Sequence, residues 1–227
     1  MVKDGSFVKL EYTGKTKEGL VFDTTSEADA KKSGVNTRNT AFGPVLIVAG
    51  KHHVLKGLDE ALLNAQIGKQ QTINLPAEKA FGKRNPELVR VVPESVFRAQ
   101  GITPVAGLVV ELDGRRARIQ SASGGRVRVD FNHELAGQDV EYSFKVLEEL
   151  TEANEILSAL AVDVLKLPAE TVSLKGGVCT VKVGPKTVKS AEFVVRKMRF
   201  IQLALQYIPE VKKIEFTEEY EKPKEKD

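Results

Sequence analysis

Between Val140 and Leu150 the apolar residues Val140, Tyr142, Phe144 and Val146 alternate with Glu141, Ser143 and Lys145, the period-2 pattern of a half-buried strand. A strand of this length cannot stand alone, because its apolar face and both edges need partners. The matching pattern lies more than a hundred residues upstream, where Val8, Leu10 and Tyr12 alternate with Lys9 and Glu11. The chain is therefore expected to close one sheet across an interruption, and the interruption to be a structure of its own.

The first part reads as strands around one helix. Gln70 to Leu75 supplies a further strand. Leu58, Ala61, Leu62 and Ala65 fall on one helical face, and Gly68 can end that helix. Residues 83 to 128 carry separate signals: a strand over Leu88 to Val92, a short helix over Pro93 to Phe97, and a hairpin from Leu108 to Ser121 turning at Asp113-Gly114. Residues 151 to about 215 form a third region. Ile156, Leu157, Leu160, Ala161 and Val164 mark an amphipathic helix, a hairpin turns at Gly176-Gly177, and Ile214 to Phe216 adds a strand. A second helix starts at Ser190, with Phe193, Val194, Met198, Ile201 and Leu205 expected to point inward. Thr217 to Asp227 reads as a charged tail.

Five segments in order carry a resemblance: Leu10-Glu11-Tyr12-Thr13-Gly14, Val21-Phe22-Asp23, Val54 to Leu62, Ala80-Phe81-Gly82, and Val129-Asp130-Phe131-Asn132-His133-Glu134-Leu135-Ala136-Gly137. Together they resemble the FKBP-type peptidyl-prolyl isomerases. The relatives meant are SlyD-like forms with an insert-in-flap chaperone domain and, less specifically, the long archaeal type with an extra C-terminal domain. The resemblance implies an α+β fold. An antiparallel half-barrel sheet would wrap a short helix over residues 1–82 and 129–150, with a small β-rich insert at 83–128 and an α+β domain at 151–227.

It also implies a chemistry. Rotation about an X–Pro bond meets a barrier of roughly 18–20 kcal/mol because the amide must lose its resonance. The twisted amide has a smaller C–O dipole, so a dry aromatic pocket favours it over the planar form. No nucleophile, metal or cofactor is required. By resemblance the walls are Tyr12, Phe22, Val54, Leu55, Phe81, Phe131 and Phe144, with Leu58 as floor. The Leu55 N–H would hold a ligand carbonyl, and the Asp23 carboxylate would approach the twisting amide. Phe81 stands where the family often has Tyr, Leu58 where many members have Trp, and Glu134 where Pro is frequent. His133 is expected to brace its loop. Neighbouring His52 and His53 would point to opposite faces of a strand, so they suggest no metal site.

The expected partners are unfolded or partly folded polypeptides with X–Pro bonds, held by apolar residues of the insert drawn from Val91, Val92, Val96, Phe97, Ile102, Val105, Leu108, Val109 and Val110, of which half or more are expected to form its own core. An FK506-type macrolide is the implied ligand of the pocket. Residues 83–128 carry nine cationic against four acidic side chains. This leaves open a rival reading in which the insert docks on RNA or the ribosome; a second rival is a non-catalytic holdase whose proline pocket is vestigial. No aromatic residue is interleaved with Arg115, Arg116, Arg118, Arg126 and Arg128, so a solvated face is the simpler reading and nucleic acid is not expected. A C-terminal region of about 65 residues has a marginal core, which suggests docking or self-association, and a homodimer through it is expected. No apolar run approaches the ~20 residues of a membrane helix. The lone Cys179 allows no intrachain disulfide, and the start lacks the apolar stretch of a signal peptide. These features point to the cytoplasm.

Overall fold

A computed structural model describes residues 1–34, 42–184, 187 and 190–218. The expected tail beyond Glu218 lies outside the described residues. The chain divides into two compact units, one of residues 1–73 with 141–227 and one of residues 74–140.

In the first unit, β1 (Phe7–Thr16), β2 (Val21–Thr24), β3 (Val45–Val48), β4 (Gln70–Leu75) and β9 (Val140–Leu150) share a five-stranded sheet. Its order is β2-β1-β9-β4, with β3 also on β1, so the two strands that best showed alternation are neighbours. β3 pairs antiparallel with the first half of β1, from Phe7 opposite Val48 to Leu10 opposite Val45, and β2 pairs with its second half. Helix α1 (Glu27–Ser33) follows β2. The Ser26 side chain accepts the Asp29 N–H at its start, and Gly34, at φ 67°, ends it. Helix α2 (Lys56–Leu62) buries Leu58 and Leu62 as expected.

The C-terminal region contributes α4 (Ala153–Leu160), β10 (Val172–Lys175), β11 (Val178–Val183), α5 (Ala191–Tyr207) and β12 (Lys213–Glu218). β10 and β11 form the expected hairpin, and β12 joins β11 in parallel. Cys179 is fully buried here, and burial pushes its thiol up to about 11. This core is continuous with the first sheet: Phe7 and Val48 pack with Leu157, Val181, Phe200 and Ile208. The marginal core is thus relieved by docking on β1 and β3, which explains why both faces of β1 are apolar near its start.

Helix α5 corrects one expectation. Phe193, Phe200, Leu203 and Ala204 point inward, whereas Val194, Met198 and Leu205 are 59%, 62% and 49% exposed. The helix carries two apolar stripes. The one with both phenylalanines is buried, because larger rings remove more apolar surface from water.

The second unit is a four-stranded sheet of β5 (Val89–Pro93), β6 (Val109–Leu112), β7 (Arg115–Ser123) and β8 (Arg126–Asp130), in the order β5-β8-β7-β6. The β6–β7 turn has positive φ at Asp113 and Gly114, as a two-residue hairpin requires. Helix α3 (Glu94–Ala99) places Phe97 against Val110, Leu112, Ala117, Ile119, Val127 and Val129 on one face of the sheet.

Candidate active site

Tyr12 lies on β1 and Asp23 on β2. The Tyr12 hydroxyl donates to Asp23 Oδ2 at 3.1 Å. The register sets Gly14 opposite Asp23. A Cβ at Gly14 would lie 2.8 Å from ring atoms of both Phe22 and Tyr142, so only glycine lets these rings settle on the strand. Tyr142, on β9, meets Tyr12 at a centroid distance of 5.7 Å and Phe22 at 5.8 Å in an edge-on arrangement. Phe144, two residues along the same face, is fully buried.

The structure therefore brings Tyr12, Phe22 and Asp23 together and adds Tyr142, which the sequence reading passed over in favour of Phe144. The strand's alternation puts both inward, and only the geometry shows that Tyr142 touches the two aromatic partners. Burial, reinforced by the adjacent Asp23 charge, raises the Tyr12 hydroxyl well above the usual tyrosine range. Tyr142 is raised for the same reasons, with Tyr12 adding to the effect. Both stay neutral donors, while Asp23 is exposed to solvent.

Val54 and Leu55 sit where a turn enters α2. Leu55 is the helix N-cap, in extended conformation, and its carbonyl accepts the Asp59 N–H at 2.9 Å. Among the described residues, no acceptor takes the Leu55 N–H. The turn is pinned from inside by Asp59, whose carboxylate accepts the Gly50 and His52 N–H groups at 2.8 Å each. His52 holds φ 59°, and His53 Nδ1 accepts the Val48 N–H at 3.1 Å. That bond occupies one ring nitrogen of His53, and Tyr207 of α5 packs edge-on against the ring at 6.2 Å. Burial, with Arg199 nearby, holds the His53 imidazole below its ordinary value against the pull of Asp59. Leu58 is almost fully buried beneath the turn.

Phe81 and Phe131 belong to the second unit. Phe81 stacks on His133 at 4.4 Å with an interplanar angle of 3°, and His133 Nδ1 accepts the Leu135 N–H at 3.2 Å, which fits the bracing role expected of it. Phe131 lies against the sheet's apolar core, with the guanidinium groups of Arg90 and Arg115 at 5.6 and 5.3 Å from its ring. Asn132 accepts the Asn85 N–H and donates to its carbonyl, clamping the two strands of chain that enter and leave the insert.

Tyr12, Phe22 and Tyr142 thus form an aromatic cluster with the exposed Asp23 carboxylate at its edge. Comparison with known proteins gives the chain a family. A family profile described as FKBP-type peptidyl-prolyl cis-trans isomerase matches residues 1–100, and one described as FKBP26, IF domain matches residues 90–135. The short-type peptidyl-prolyl cis-trans isomerase of Methanocaldococcus jannaschii is 30% identical over 146 residues, covering 64% of this chain and 92% of that protein. The FKBP-type 16 kDa isomerase of Escherichia coli K12 is 30% identical over 151 residues, 65% of this chain and 93% of its own. The SlyD isomerase of Helicobacter pylori is 33% identical over 134 residues, 56% and 71% respectively. The chain belongs to the FKBP-type peptidyl-prolyl cis-trans isomerases. It is an enzyme of the SlyD-related kind within that family.

Proposed function

We propose that the protein is both a prolyl isomerase and a folding chaperone, with the proline site built on Tyr12, Phe22, Asp23, Val54, Leu55, Leu58 and Phe144, joined by Tyr142. The observation that carries this is the Tyr12–Asp23 bond at the edge of an aromatic cluster. The aromatic walls take the proline ring and remove its water, and the Leu55 N–H holds the carbonyl that follows. Asp23 acts on the amide as it twists. Each contact is stronger for the twisted form, which is what lowers a rotational barrier. The walls assigned to Phe81 and Phe131 rest on the resemblance alone, as does binding of an FK506-type macrolide.

Residues 83–128 act as the inserted chaperone domain. Val91, Val96, Val105, Leu108 and Val109 are exposed there. Client chain held on them meets the proline site as an intramolecular event, which raises turnover without a better pocket. The outward stripe Val194, Met198, Ile201 and Leu205 of α5, spaced 4-3-4, supports a homodimer through the C-terminal region. The cytoplasm, and an archaeal long-type lineage, are the setting this reading assigns.

The test is acceleration of a proline-limited refolding reaction by the intact chain, beside turnover of a short X–Pro peptide. Asp23→Ala and Tyr12→Phe should lower both rates. If the wild type accelerates neither, the protein is a holdase. Met198→Glu should shift the sedimenting species at tens of micromolar from dimer to monomer; a wild-type monomer there would remove the dimer from this account.

A further inference from the structure

The sheet of the second unit has two unlike faces. Helix α3 closes one over Phe97. The other stays exposed, and the strand register orders it in rows. Pro93, Arg126 and Ser123 form one row, Val91, Arg128 and Ser121 the next, and Val89, Asp130, Arg118 and Val109 the third. Arg116 extends the face on β7, opposite Glu111.

The charges on this face are not all satisfied from within. Arg118 pairs with Glu134 at 3.2 Å and Arg84 pairs with Asp130. Arg116, Arg126 and Arg128 are exposed and have no ion pair among the described residues. The first two rows contain no acidic residue. Arg126 and Arg128, two residues apart on one strand, stand about 7 Å from each other. That is also the repeat at which an extended polypeptide presents side chains to one side. On the edge strands flanking the arginines, Val91 is 65% exposed and Val109 37%. At the Arg116 end a cavity of about 400 Å³ opens, lined by Arg84, Val109, Arg118, Phe131 and Glu134 among others.

From this arrangement we propose that the open face of the insert docks extended, acidic client segments, whose carboxylates two residues apart meet Arg126 and Arg128 while a further one reaches Arg116 beyond the third row. The proposal rests on the chaperone reading above and names the chemical class of its client. Arg is suited to the task because its planar fork meets a carboxylate with two parallel N–H groups. A nucleic acid fits less well. The strands of this face carry no aromatic residue for base stacking, and the one ring at its end, Phe131 in the cavity wall, is already covered by the guanidinium groups of Arg90 and Arg115. The exposed valines flanking the arginines offer nothing to a sugar–phosphate backbone.

The experiment uses the full chain and fluorescence anisotropy at low salt. The probes are a labelled peptide of alternating Glu and Val, its Gln-for-Glu and Lys-for-Glu counterparts, and single-stranded oligouridylate. The Glu peptide should bind most tightly, with an affinity that falls as salt rises. The double variant Arg126→Ser/Arg128→Ser should weaken it about fivefold or more, the sum expected of two exposed charge pairs. Turnover of a short X–Pro peptide and the melting curve should stay as in the wild type. Equal binding of the Gln peptide, an unchanged affinity in the double variant, or tighter binding of oligouridylate than of the Glu peptide at equal salt overturns the proposal. Loss of short-peptide turnover in the wild type would instead count against the isomerase site, so the two failures read differently.

Discussion

Asp59→Ala tests whether the turn before α2 is held for catalysis. The carboxylate accepts two backbone N–H groups at 2.8 Å and is only 2% exposed. A hydrogen bond to a charged group contributes about 1.5–3 kcal/mol, so two set a ceiling of about 3–6 kcal/mol. His52 is exposed and water can take over its N–H, which brings the expected loss to about 2–4 kcal/mol. With a urea slope of about 2 kcal/mol/M, the unfolding midpoint followed by circular dichroism should fall by about 1–2 M. Asp59→Asn keeps one acceptor but turns an amide donor toward the other N–H, and should lose at least half as much. In wild type, Val54 and Leu55 follow directly on this pinned turn. At a temperature where the Ala variant is still fully folded, kcat/KM on a short X–Pro peptide should therefore drop by about tenfold, as expected when a binding group loses its fixed position. An unchanged midpoint would refute the energetic argument. A destabilised variant with undiminished kcat/KM would refute the claim that Asp59 positions the site.

Three further outcomes follow from the site. Gly14→Ala places a methyl group 2.8 Å from the Phe22 and Tyr142 rings; thermal unfolding should register a loss of about 1–3 kcal/mol from overpacking, together with weaker turnover. Titration of tyrosinate ultraviolet absorbance should show two of the four tyrosines ionising late, and Tyr12→Phe should remove one of them. Because their folded values are raised, the stability they contribute is complete below the ordinary tyrosine value of about 10 and is lost as pH rises beyond it. His53 works in the other direction. Its folded value is depressed, so its contribution is present above about 6.5 and lost as pH falls through the folded value; His53→Gln should flatten the decline in unfolding midpoint between neutral and mildly acidic pH.

Strands with strict alternation were readable before any coordinates, because a face that must be half buried writes its period into the residues. β1 and β9 belong to this class, and the insert hairpin was legible from its Asp113-Gly114 turn. β3 was missed: Val45-Leu46-Ile47-Val48 is a continuous apolar run, and continuity reports burial on both sides without saying by what. The α5 register failed for a related reason. Two apolar stripes at helical spacing both fit the period, and the larger rings of Phe193 and Phe200, packed in one core with Phe7 and Val48, decide which is buried. At the site, the motif residues Tyr12, Phe22 and Asp23 do meet. Tyr142 escaped because it shares its strand face with Phe144, and choosing between them needs the position of a partner strand. Asp59 looked like an ordinary helix residue, since its role depends on a turn that curls back over it.

The packing of Phe7 against Tyr207, with ring centroids 6.4 Å apart, joins residues two hundred positions apart in the chain. Synthesis at ~5–20 residues per second leaves about 10–40 s between the appearance of the first and the second. Until that interval ends, the cover over one apolar side of the strand that carries Tyr12 is incomplete. This prolyl isomerase thus begins life as a nascent chain whose earliest-made strand is among the last to be sealed.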